Sequence, residues 1–138
     1  MKIEGRCHCG NLRYVAEVDP DKVEVCHCTD CQTLSGSAFR VVAPAQPGTF
    51  KLVSGEPTTY VKPAESDNRR VQAFCPNCGT SLYAHALAGD PHIRPPIVGL
   101  RVGAIVQRAQ LTPKTQYWTR SRQHWVTEMG SLLVVETE

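Results

Sequence analysis

Seven cysteines stand in three clusters: Cys7-His8-Cys9, Cys26-His27-Cys28-Thr29-Asp30-Cys31 and Cys75-Pro76-Asn77-Cys78-Gly79. Thiolates at such short spacing bind borderline-soft metal ions, zinc foremost. A structural zinc site closes on four protein ligands, whereas a catalytic site keeps about three and leaves one position open. Four plus three thiols therefore point to two zinc ions per chain with different tasks. Disulfides fit less well. An odd count leaves a thiol over, and cysteines at i and i+2 of an extended segment lie about 7 Å apart, too far for ready bonding.

The spacing suggests a partition. Cys26, Cys28 and Cys31 lie within one short segment. A turn through Thr29-Asp30 can bring all three thiolates to one ion at small loop-closure cost. Cys75-x-x-Cys78-Gly79 reads as a zinc knuckle, whose glycine permits a positive φ. Cys7-x-Cys9-Gly10 supplies the other half of a closed site. Other pairings stay open at this level. Cys75 or Cys78 can join the middle cluster, and His8, His27, His85 or His92 can fill its fourth position. His8 and His27 alternate with ligand cysteines and so point away from them in extended backbone.

These residues need a scaffold, and the rest of the chain predicts a mainly β one. At 138 residues it is expected to be a single domain, residues 1–138, with its own core. Leu12, Tyr14, Ala16 and Val18 alternate on one face of a strand over 11–18. Further strands are read at 22–25, 38–43, 49–53, 58–61, 69–74, 81–84, 97–102 and 132–136. Thr29 to Ser35 reads as a helical turn and Pro91 to Pro96 as a loop. Trp118 and Trp125 are expected as core or pocket walls. The formal charge of +2 is too small to imply nucleic-acid binding, and no apolar run reaches membrane-spanning length. Residues 1–6 carry no apolar signal-like stretch, so free thiols and a reducing compartment, most simply the cytoplasm, are expected. Exposed β-edges leave a homodimer open.

The succession Cys7-x-Cys9-Gly10, Cys26-His27-Cys28-x-x-Cys31, Ser35-Gly36-Ser37-Ala38, Gly55-Glu56-Pro57 and Phe74-Cys75-x-x-Cys78-Gly79-Thr80 resembles the glutathione-dependent formaldehyde-activating enzyme family, with its related centromere-protein V-like group. The resemblance implies an Mss4-like or β-tent fold of several small coiled antiparallel sheets around zinc. It implies a structural zinc on Cys7, Cys9, Cys75 and Cys78 and a more labile, catalytic zinc on Cys26, Cys28 and Cys31. It further implies a carbon–sulfur lyase type of activity on S-hydroxymethylglutathione, the adduct of glutathione and formaldehyde. Gln116 stands where the family often carries a histidine.

An open zinc site can hold a substrate thiolate as fourth ligand or polarise an aldehyde oxygen. Three thiolates leave the site a net charge of about −1, which favours the thiolate-holding role. A tripeptide thiol with two carboxylates calls for cationic contacts, with Arg40, Arg69, Arg70, Arg94 and Arg101 as candidates. Ser35 and Ser37 are candidate donors to substrate. The alternative to an enzyme is a non-catalytic zinc- or thiol-binding module.

Overall fold

The computed structural model describes residues 1–63, 69–88 and 97–137. The loop expected at Pro91 to Pro96, and with it His92 and Arg94, lies outside them. The first half of the chain forms β1 (Lys2–Arg6), β2 (Arg13–Glu17), β3 (Glu24–Cys26), α1 (Thr29–Ser35), β4 (Arg40–Pro44) and β5 (Lys51–Ser54). The second half adds β6 (Thr58–Lys62), β7 (Arg70–Phe74), β8 (Ser81–Ala86), β9 (Gly99–Arg101) and β10 (Thr115–Tyr117). Among the described residues the strands make two sheets, one ordered β1-β2-β5 and one ordered β10-β3-β4-β9-β8-β7-β6. No helix among them is long and apolar enough to cross a membrane.

The mainly β expectation holds, with one difference in detail. Instead of several small antiparallel sheets there is a seven-stranded sheet, and its edge strand β10 runs parallel to β3. Parallel pairing needs a long crossover, and some ninety residues of chain separate the two strands. A three-residue Thr-Gln-Tyr segment carries no apolar alternation, so its strand character comes from that distant partner.

The predicted face of β2 is buried as expected: Leu12, Tyr14, Ala16 and Val18 all lie in the core. Ile3, Ala43, Ala73, Leu82, Tyr83 and Leu100 meet them from the other strands. The Tyr14, Phe50 and Tyr83 rings pack together, with Phe50 and Tyr83 centroids 4.7 Å apart. Each large apolar side chain so buried contributes about 1.5–3 kcal/mol.

β1 escaped the sequence reading because its inward positions are only Ile3 and Gly5. Glycine is required there. Gly5 sits directly across from Tyr14, and a Cβ added to it would clash with the Tyr14 ring, 1.9 Å from Cζ. Gly5→Ala is therefore expected to cost about 1–3 kcal/mol through overpacking, read as a lowered thermal midpoint without loss of the cysteine clusters. An unchanged midpoint would show that Tyr14 can move aside freely.

Two expectations fail. Residues 132–136 form no strand, and Leu133, Val134 and Val135 are 92%, 84% and 71% exposed. Their composition suits a strand, but no strand among the described residues pairs with them, and β-propensity alone does not make a sheet. Trp118 and Trp125 are 52% and 43% exposed, not core. Trp118 adopts a left-handed backbone at φ 58°, and the Arg120 guanidinium stacks over its ring at 4.7 Å.

Candidate metal centres and their surroundings

The loop after β1 carries Cys7 and Cys9, and the loop after β7 carries Cys75 and Cys78. These loops belong to different sheets, yet the four sulfurs lie within 4.8 Å of one another. Cys7 Sγ is 3.4 Å from Cys9 Sγ, which is 3.7 Å from Cys75 Sγ. A tetrahedral zinc with bonds of about 2.3 Å sets its sulfurs about 3.8 Å apart, so the donor set fits that ion in type, number and spacing. The local turns explain the convergence. Gly10 N–H donates to Cys7 O and Gly79 N–H to Cys75 O, both glycines having positive φ. Leu12 N–H donates to Cys7 Sγ at 3.2 Å.

The four thiols differ in acidity. The Asn77 side chain lowers Cys9 below the usual thiol range. The Thr80 hydroxyl, 3.2 Å away, is the first cause that brings Cys78 down to about 5. Burial pushes Cys75 up to about 11. A depressed thiol contributes its stabilisation above its ordinary pKa, and loses it as pH falls through the folded value. Acid is thus expected to empty this centre as pH falls toward 5. Thr80→Val removes the hydroxyl and is expected to shift the midpoint of zinc release upward by about one pH unit. Following release with a chromophoric chelator across pH checks this; an unmoved midpoint would remove Thr80 from the account.

The middle cluster also assembles as the spacing suggested. Cys26 ends β3, Cys28 caps α1 by accepting from Cys31 N–H at 3.3 Å, and Cys31 lies in the first turn of that helix. α1 spans Thr29–Ser35, the segment expected to be helical, and ends on Gly36 at φ 62°. The three sulfurs lie within 4.8 Å of one another, all partly exposed. Among the described residues they are a set of three, and neither Cys75, Cys78 nor a histidine joins them. Hydrogen bonding from Cys31 lowers Cys26 to about 5, while the same bond and burial push Cys31 far up. A divalent cation binding these thiols would displace their protons.

His27 is buried and turned away from the cysteines. Its Nε2 donates to Gln116 Oε1 at 3.0 Å, an oxygen that also accepts from Arg122 Nη1. Gln116 thereby fixes the ring from β10, behind the cluster. Gln32 of α1 donates to His27 O at 2.7 Å and Ser121 O at 2.9 Å, tying helix, cluster and the chain after β10 together. Asp30 pairs with Lys62 of β6 at 2.5 Å. Ser35 donates to Gln32 O and Phe39 O, and so closes the helix end. Neither it nor exposed Ser37 is placed as a substrate donor by these contacts.

Strand register puts further groups on the face that carries Cys26. Arg40 stands directly across from Cys26, and Arg101 across from Val42. Residues two apart share a face, so Glu24, Cys26, Arg40, Val42, Arg101, Gln72 and Arg70 form one stripe across β3, β4, β9, β8 and β7. Arg40 and Arg101 are only 5% and 9% exposed. Burial, then the Arg40 charge, brings Arg101 down to about 9. Burial, then Cys26, raises Glu24 above the usual carboxylate range. Arg40 and Arg101 were among the cationic candidates. Gln72, to which both donate, was missed because a lone glutamine on a strand gives no signal until β7 and β9 are in register.

Comparisons with known proteins agree with this architecture. A crystal structure of a Rhodobacter sphaeroides protein shares the fold at TM-score 0.61 and 20% identity, covering 82% of this chain and 98% of that one. A protein of Schizosaccharomyces pombe described as an uncharacterized lyase is 29% identical over 90 residues, 58% of this chain and 55% of the relative. A Halomonas elongata protein provisionally named glutathione-dependent formaldehyde-activating enzyme is 28% identical over 87 residues, 60% of this chain and 55% of the relative. The chain spans about half the length of these curated relatives. The family profile for glutathione-dependent formaldehyde-activating enzyme matches residues 2–121, most of the sequence, and the chain belongs to that family.

Proposed function

We propose that the chain is a zinc-dependent enzyme of the carbon–sulfur lyase type, acting on a thiol–aldehyde adduct such as S-hydroxymethylglutathione. The observation that carries this reading is the set of three partly exposed thiols at Cys26, Cys28 and Cys31, beside a complete set of four. In this reading Cys7, Cys9, Cys75 and Cys78 hold a structural zinc, and Cys26, Cys28 and Cys31 hold the catalytic one. Two sheets joined across the four-thiol centre support the Mss4-like or β-tent arrangement, with residues 1–138 as one zinc domain.

When bound at the three-thiol site, zinc would supply a position for a substrate thiolate next to the aldehyde carbon. The chain's own groups do the rest. α1 and the end of β3 hold the three thiolates on a rigid turn, with Gln32 and Gln116 fixing that turn from either side. The partly exposed cluster admits a small thiol and aldehyde, which gain from proximity once both are held. In the forward direction the thiol sulfur bonds the carbonyl carbon, the carbonyl π pair moves to oxygen, and the proton lost by the thiol ends on that oxygen. The reverse reaction breaks the same carbon–sulfur bond.

The test is aldehyde consumption by the fully zinc-loaded chain with glutathione and formaldehyde, against the same mixture without protein. Acceleration that requires the thiol supports the enzyme. Thiol binding with no acceleration would instead favour the non-catalytic zinc- or thiol-binding module.

A further inference from the structure

Arg40 and Arg101 are an unusual pair. Two guanidiniums from neighbouring strands converge on a single neutral acceptor, Gln72 Oε1, at 3.3 Å from Arg40 Nη1 and 2.7 Å from Arg101 Nη2. Arg40 Nη2 and Arg101 Nε are buried and have no acceptor among the described residues. Among the described residues neither arginine forms an ion pair with a carboxylate. Buried charges are normally paired, because removing one from water is costly unless an opposite charge or full hydrogen bonding offsets it. An amide oxygen is a weak substitute for a carboxylate, which accepts two parallel bonds from a guanidinium.

We propose that Arg40 and Arg101 form a subsite for a carboxylate of the thiol substrate, in which a carboxylate oxygen takes the place of Gln72 Oε1. The location supports this. Arg40 lies directly across from Cys26, and both arginines share its face of the sheet, so the subsite adjoins the three-thiol cluster. Arg70, on the same face beyond Gln72, adds to the positive field. A thiol held at the cluster would thus be selected for a carboxylate on its backbone, and a neutral thiol would lack that contact. The inference rests on the proposed thiol-binding role of the same site, and names the substrate feature that the site reads.

The experiment separates the two claims. S-methylglutathione has free carboxylates and no thiol to offer a metal, and its diethyl ester lacks the carboxylates. Calorimetric titration of the zinc-loaded chain is expected to show S-methylglutathione binding about tenfold or more tighter than the diester. Gln72→Glu places a carboxylate between the two arginines from within. It is expected to raise the thermal midpoint, keep the zinc content and abolish that preference. Equal affinity for the two probes, no binding of either, or a preference that survives in Gln72→Glu would overturn the subsite. A pair that only staples the strands would raise the midpoint in Gln72→Glu with no preference to lose. The thiol-binding reading is tested in parallel by adding glutathione to the cobalt-loaded chain. An unchanged visible spectrum there, with the S-methylglutathione preference intact, would reject that reading and keep the subsite.

Discussion

Cys75→Ser is expected to lose one zinc ion and, with it, cooperative folding at ordinary temperatures. Cys75 is 1% exposed and packs within the core cluster. Its loop and the Cys7–Cys9 loop leave different sheets, so the four-thiol centre ties together two sheets that otherwise meet through the shared core and the isolated bridges Gly5–Ile105 and Val18–Ala45. A structural zinc is worth on the order of 10 kcal/mol of apparent folding free energy. That is comparable to the whole stability of a typical domain, about 5–15 kcal/mol. The buried serine hydroxyl would also lack the cation that offsets its neighbours' charge. Metal analysis and a circular-dichroism melt check this. A Cys75→Ser chain that keeps two zinc ions and a melting point within a few degrees of the parent would refute the structural role.

Cys31→Ser is expected to behave in the opposite way. It should lose the second zinc and thiol-dependent aldehyde turnover, at least about a hundredfold, and still melt within about 5 °C of the parent. The reason is that α1 buries no side chain, and Cys26, Cys28 and Cys31 staple only their own segment. Little of the core depends on them. If Cys31→Ser and Cys75→Ser each remove the same single ion, the division into four and three is wrong. A large fall in stability for Cys31→Ser would likewise show that the middle cluster holds the fold.

The two cysteine clusters were legible in the sequence because their spacing is local. Three cysteines around a turn, and a knuckle ending in Gly79, announce themselves by spacing, and α1 follows from the turn that returns Cys31 to Cys28. The cross-chain choice of Cys7 and Cys9 as partners of Cys75 and Cys78 was also reachable, since it was the pairing left once the compact trio was set apart. Groups that matter through register were not legible. Gln72 meets Arg40 and Arg101 only after β7, β8, β9 and β4 align. β10 exists because β3 offers it an edge, and β1 was hidden by a glycine whose purpose is to admit Tyr14. The apolar run at 132–136 shows the converse error, local β-propensity with no partner strand.

The most direct test is anomalous diffraction at the zinc edge from crystals of the metal-loaded chain. Two peaks are expected. One lies within bonding distance of the Cys7, Cys9, Cys75 and Cys78 sulfurs; the other lies within bonding distance of the Cys26, Cys28 and Cys31 sulfurs, with no fourth ligand from the chain. A single peak, or a middle-site ion closed by a fourth side chain of the same chain, would contradict it.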